Sequence, residues 1–228
     1  MSIKLEHELA ARKYSLKRDE KGLLEISLDN VARAEAMINS DSRYNQGEVE
    51  DSIKLLSPFI MANNLQPNQD YKEIFNKIVH SINKTNKTRM SDLEMDEIVT
   101  HLQIIQNELI KRLYNRDFCL ICEIVNSTPK RKNYSFATKF CHYMCYWLFE
   151  NKKQQDNYSI YDKVVATILG RYAAQCNIFK TSDIQYKFED FNSYKQYATY
   201  SEVIDKIRAA NRHISRNGLD HLLWFANK

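Results

Sequence analysis

Glycine and proline are scarce in this chain, four and three among 228 residues. No G-x-G-x-x-G and no G-x-x-x-x-G-K-[ST] can be drawn, so neither a Rossmann fingerprint nor a P-loop is supported and ATP or NAD chemistry is set aside. With few breakers, apolar and charged residues alternate at helical spacing over long stretches, which predicts an all-α, mainly helical protein. Long apolar runs are also missing: none approaches the roughly 20 residues that span a bilayer. The opening Met1-Ser2-Ile3-Lys4-Leu5-Glu6 has no apolar signal core. The expectation is a soluble cytoplasmic chain with no membrane partner. Excess charge is small as well, a formal +4, so a nucleic-acid partner has to be argued from charge distribution.

Five cysteines are present: Cys119, Cys122, Cys141, Cys145 and Cys176. An odd number without an export signal points to reduced thiols. Cys119-x-x-Cys122 and Cys141-x-x-x-Cys145, with His142 as a substitute ligand, have the count for a zinc or iron–sulfur site. Both pairs lie in apolar, helix-patterned segments without a glycine-rich knuckle, so core thiols are expected, and no metal or other cofactor.

Along the chain, residues 23–28 suit a short N-terminal strand or an extended arm. Asp29 is placed to cap a helix carrying Val31, Ala34 and Ile38. Val49, Ile53 and Leu56 define a helix that stops near Pro58, and residues 63–68 read as a loop. Tyr71, Ile74, Phe75, Ile78 and Val79 form one apolar stripe, followed by a basic polar connector at 83–89. Ser91 with Glu94 is a capping box for one long helix bearing Ile98, Leu102, Ile105, Leu109 and Leu113. A further helix covers 118–125, Pro129 breaks the pattern, and 135–149 shows an apolar face of Phe136, Phe140, Tyr143, Met144 and Trp147. Helices are then expected at about 160–174, 200–211 and 219–225. The division adopted is an N-terminal helical layer, 1–128, and a C-terminal part, 129–228, in one compact unit.

The chemistry-bearing residues fall in the second part. Lys130, Arg131 and Lys132 immediately precede a helix start at Ser135, where unpaired N–H groups and the helix dipole attract anions such as a DNA phosphate. Lys139 follows within the first turns. A lysine becomes a nucleophile when burial or neighbouring cations leave its amine neutral, whereas most lysines simply lie over apolar neighbours. Asp162 reads equally as the partner of Ser159 in a capping-box variant or as a carboxylate that stabilises developing positive charge. The connector from 150 to 161 can span on the order of 36 Å, enough to return from a helix end about 15 Å beyond Lys139. Arg212 and Arg216 could add phosphate contacts. His142, Tyr161 and Trp224 could line a base pocket, though His142 and the Leu222-Leu223-Trp224-Phe225 run also read as ordinary core.

Residues 135–143 (Ser-Phe-Ala-Thr-Lys-Phe-Cys-His-Tyr), residues 158–165 (Tyr-Ser-Ile-Tyr-Asp-Lys-Val-Val) and the tail Arg216-Asn217-Gly218-Leu219-Asp220-His221-Leu222-Leu223-Trp224 resemble the prokaryotic 8-oxoguanine-glycosylase-like proteins, divergent relatives of the helix-hairpin-helix base-excision glycosylases. The resemblance covers roughly the last hundred residues. It implies a two-layer helical fold that takes a base flipped out of duplex DNA, with Lys139 as nucleophile and Asp162 assisting at the sugar. The hairpin glycines of that family are replaced here by Asn133-Tyr134-Ser135-Phe136. The expected function is thus a DNA glycosylase with AP-lyase activity. It would remove a damaged or modified base, oxidised guanine or a modified base in invading phage DNA, acting as a nucleoid-associated monomer. The alternatives are a non-catalytic DNA-binding or damage-sensing protein and a helical scaffold.

Overall fold

The computed structural model describes residues 16–18, 20, 24–39, 46–129, 131–178, 194–211 and 214–227. Within these the chain is all-α: ten α-helices and one two-stranded hairpin. The helices are α1 (Leu28–Asn39), α2 (Gly47–Lys54), α3 (Lys72–Asn86), α4 (Asp92–Ile104), α5 (Gln106–Tyr114), α6 (Cys119–Asn126), α7 (Tyr134–Leu148), α8 (Lys163–Gln175), α9 (Tyr194–Ala210) and α10 (Arg216–Asn227). The hairpin pairs β1 (Ile60–Met61) with β2 (Asn64–Leu65) in antiparallel register, Ile60 opposite Leu65. Its two-residue turn puts Ala62 and Asn63 at φ 48° and 66°, the left-handed pair that a tight hairpin requires.

Contacts divide the chain into two compact units. The smaller comprises residues 1–42, 163–187 and 202–228; the larger comprises 43–162 and 188–201. Helix α9 contributes its first half to the larger and its second half to the smaller.

In the smaller unit α10 packs on α1 and α8. Helix α1 begins at Leu28, with the Ser27 hydroxyl accepting from Asn30 N–H at 3.3 Å. Asp29, expected as its cap, lies in the first turn and pairs with Lys17 at 3.3 Å and Arg33 at 3.2 Å. Where a short strand or an extended arm was expected, residues 24–27 form no helix and Leu24 makes an isolated antiparallel bridge with Arg18. Buried Asn30 holds that bridge's flanks, donating to the carbonyls of Lys17 (2.9 Å) and Glu25 (2.8 Å) and accepting from Lys17 N–H (3.0 Å). Ser215 caps α10, accepting from Gly218 N–H at 2.9 Å.

In the larger unit α7 packs against α2, α3, α5, α6 and the 3-10 turn Lys153–Asp156. Being covered from several directions, its residues from Phe136 to Cys145 are all buried, where the pattern suggested one apolar face; a helix buried all round needs apolar character all round. Several expected boundaries move; the last two helices, for example, start earlier, at Tyr194 and Arg216. The stripe from Ile98 to Leu113 is split into α4 and α5 because Ile105 takes φ −96°, ψ 5°. Helix α3 runs on through Asn83 to Asn86 and stops at left-handed Lys87. The helix expected from about 160 begins at Lys163, leaving residues 158–162 outside any helix. The Ser91–Glu94 capping box forms as expected.

Gly218 faces α1. A Cβ there would sit 2.7 Å from Val31 Cγ1 and 3.0 Å from Ser215 Oγ. Gly218→Ala gains helix propensity, about 1 kcal/mol, but must displace a β-branched neighbour, which costs about 1–3 kcal/mol. Net destabilisation is expected in urea unfolding, and a stabilised variant would show that the α1–α10 packing is looser than described.

Candidate active site

The five residues from Tyr158 to Asp162 are buried yet lie outside any helix. Buried backbone groups must find partners, and here side chains supply them. From α7, His142 Nδ1 donates to the Tyr158 carbonyl at 2.8 Å. Thr138 Oγ1 accepts from Tyr161 N–H at 3.1 Å while its own proton goes to the Tyr134 carbonyl at 2.9 Å. From α9, the Tyr197 hydroxyl accepts from Ser159 N–H at 2.9 Å and donates to the Ser159 carbonyl at 2.6 Å. The Tyr200 hydroxyl donates to the Ile160 carbonyl. Thr138 and His142 are four apart on α7, and Tyr197 and Tyr200 three apart on α9, so each helix presents one face to the segment. Edge-on aromatic contacts add to the grip: Tyr161 with Tyr200 at 5.0 Å and Phe118 with Tyr197 at 5.0 Å.

This stitching delivers Asp162 to Lys139. Lys139 Nζ lies 4.0 Å from Asp162 Oδ2, and each side chain is 11% exposed. Lys139 Nζ also donates to Ser135 Oγ at 3.2 Å, one turn nearer the helix start. Asp162 occupies the residue before the first helical residue of α8, the N-cap position. The Ser159–Asp162 capping-box reading fails, since Ser159 precedes α8 by four residues and its backbone N–H and carbonyl are engaged by Tyr197.

The other expected site residues are placed as follows. Ser135 is half-buried and serves Lys139. Arg131 and Lys132 are exposed just before α7, whose N-cap Asn133 makes no side-chain cap and donates instead to Glu94 Oε1 at 3.2 Å. His142 is 1% exposed and stacks on Tyr146 at 5.9 Å. Tyr161 is fully buried. Both side chains are thus enclosed by neighbouring elements. Arg216 is 2% exposed, with its guanidinium on Asp205, which also binds Arg208. That pairing turns Arg216 inward, away from any solvent-borne phosphate. Trp224 is half-buried in the smaller unit. Lys130 and Arg212 lie outside the described residues.

None of the cysteines forms a disulfide. Burial pushes the Cys141 and Cys145 thiols well above their ordinary range, and those of Cys119 and Cys122 upward as well. No group of three or more His, Cys, Asp or Glu side chains suited to a metal occurs among the described residues. No helix among them is long and apolar enough to cross a membrane.

A family model described as HI_0787_N, N-terminal domain, matches residues 34–147, half of the chain. The chain belongs to the HI_0787_N family. The match takes in Lys139 and ends before Asp162, so the carboxylate of the pair lies beyond the family's matched domain. No curated protein and no solved structure matches the chain significantly.

Thr138, Tyr197 and Tyr200 position the site although no motif singles them out. Tyr197→Phe would strip partners from both the N–H and the carbonyl of buried Ser159. An unsatisfied buried group costs about 1–3 kcal/mol, so urea unfolding is expected to show a loss of at least about 2 kcal/mol. A loss near zero would mean that water replaces the hydroxyl.

Proposed function

We propose that this protein is a DNA glycosylase with AP-lyase activity, in which Lys139 is the nucleophile and Asp162 its carboxylate. One observation carries the reading: an amine and a carboxylate, 4.0 Å apart and barely exposed, meet at the first turns of one helix and the start of the next. A basic loop leading into α7 supports it, as does the sequence resemblance to 8-oxoguanine-glycosylase-like proteins.

In this chemistry Lys139 Nζ passes a proton to Asp162 and attacks C1′ of a nucleotide flipped from duplex DNA. The electrons of the C1′–N bond leave with the base. As the bond breaks, positive charge grows on the sugar, and a preorganised carboxylate in a site largely shielded from water stabilises it. The resulting C1′–amine adduct opens to a Schiff base, and β-elimination cleaves the strand 3′ to the sugar. The substrate class is an oxidised guanine or another modified base, including one in invading phage DNA, and the protein acts as a nucleoid-associated monomer.

A second reading is a DNA-binding or damage-sensing protein without catalysis, in which the same pair is structural. Low exposure and the Ser135 hydrogen bond favour it, since a lysine so held is also a stable packing element.

Borohydride trapping separates the two. On duplexes carrying a panel of modified bases, the wild-type chain is expected to give a covalent adduct whose peptide map places the DNA on Lys139. Lys139→Gln should abolish it, and Asp162→Asn should slow base release by at least tenfold. Breaking a nearly buried pair can cost about 3–5 kcal/mol, so the wild-type peptide map decides even where a variant is unstable. An adduct on another amine rejects Lys139; duplex binding with no base release across the panel selects the second reading.

A further inference from the structure

The loop joining α3 to α4 lies against the loop that precedes α7. Arg131 Nη1 donates to the Arg89 carbonyl at 3.0 Å, across 42 residues of sequence. Lys87 and Arg89 are both exposed and both left-handed, at φ 51° and 56°. Their loop is shaped from within: Asn83 Oδ1 accepts from the Thr88 hydroxyl at 2.6 Å and from Met90 N–H at 3.1 Å. On the facing loop Lys132 Nζ donates to Asn126 Oδ1 at 2.6 Å. Two cations from each loop thus stand on a shared, internally braced backbone.

Among the described residues these four cations are not held in ion pairs, in contrast to others nearby. Lys54, Lys77, Lys84 and Arg112 of the same unit each hold a carboxylate. Glu94 sits beneath, but its oxygens are taken by Ser91 N–H, the Ser91 hydroxyl and the Asn133 amide. Its carboxyl is held below the usual range chiefly by Ser91 N–H, with Arg131 the smallest contributor. Like charges gathered on a rigid scaffold repel one another, and a polyanion relieves that repulsion by releasing its own counterions.

We infer that Lys87, Arg89, Arg131 and Lys132 form one phosphate-binding surface for the backbone of duplex DNA. The inference rests on duplex DNA being the partner, as in the proposed function, and adds the α3–α4 loop to the DNA-facing surface. In sequence that loop reads only as a basic polar connector; Arg131 joins it to the second loop through the Arg89 carbonyl. Phosphate contacts of this kind orient a duplex without reading its sequence.

Anisotropy with a short unmodified duplex, titrated with salt, tests it without any base release. The double variant Lys87→Gln/Arg89→Gln should flatten the log K against log[salt] slope by about 0.9 for each phosphate no longer neutralised, near 2 in all. Binding should weaken equally on duplexes of different sequence. Lys72→Gln/Lys111→Gln, equally exposed in the same unit, should leave the slope unchanged. The inference is overturned if the Lys87/Arg89 variant keeps the wild-type slope, if the control pair flattens it as much, or if the wild-type chain does not bind duplex DNA. Duplex binding through these residues with no trapping on any modified base would uphold the surface while removing the glycosylase reading.

Discussion

The satisfaction of one buried, non-helical stretch of backbone is the constraint on which the candidate site depends. Residues 158–162 run through the larger unit without the internal hydrogen bonds of a helix or a sheet ladder. Left unpaired, each of their N–H and carbonyl groups would carry a desolvation penalty of about 1–3 kcal/mol. Four side chains from two helices pair the Tyr158, Ser159 and Ile160 carbonyls and the Ser159 and Tyr161 N–H groups: His142 and Thr138 from α7, Tyr197 and Tyr200 from α9. Because those bonds address successive backbone groups, a slip by one residue would break all of them together. The register that places Asp162 beside Lys139 is therefore a consequence of polar satisfaction more than of apolar packing, which tolerates small slides.

That arrangement also explains why residues expected at the site divide into two kinds. Thr138, His142 and Tyr161 spend their polar groups or their bulk on holding the segment. Lys139, one residue after Thr138, and Asp162, one after Tyr161, are carried along by the same bonds and meet just below the surface. Ser135, Lys139 and His142 share a helix face, so the amine gains a hydroxyl partner a turn toward the helix start. Outside, exposed cations gather on the two loops flanking the start of α7, while Arg216, expected to join them, is neutralised by Asp205.

Much of the helical framework was legible in the residues. The Ser91–Glu94 box, the stop near Pro58, the stripe on α3 and the break at Pro129 each rest on local stereochemistry acting within a few residues. What was illegible depends on distant partners. Ile105 is as apolar as its neighbours in the stripe, and only its backbone angles divide α4 from α5. Nothing in the order Tyr-Ser-Ile-Tyr-Asp separates a helical turn from an extended run, since the deciding tyrosines stand 38 and 40 residues further on. Arg216 read as a surface cation because Asp205, on another helix, is invisible to local pattern.

By itself, the sequence determined the helical class, most helix positions, and the presence of a lysine and an aspartate with a connector long enough to unite them. These follow from short-range rules of periodicity, capping and chain reach, which every residue carries with it. The tertiary structure alone decided that the two meet at 4.0 Å, that His142 and Tyr161 are committed to the core, and that Arg89 and Arg131 share one surface. Those outcomes turn on hydrogen bonds across tens of residues, where the partner of a polar group is chosen by burial in three dimensions rather than by neighbours in the chain.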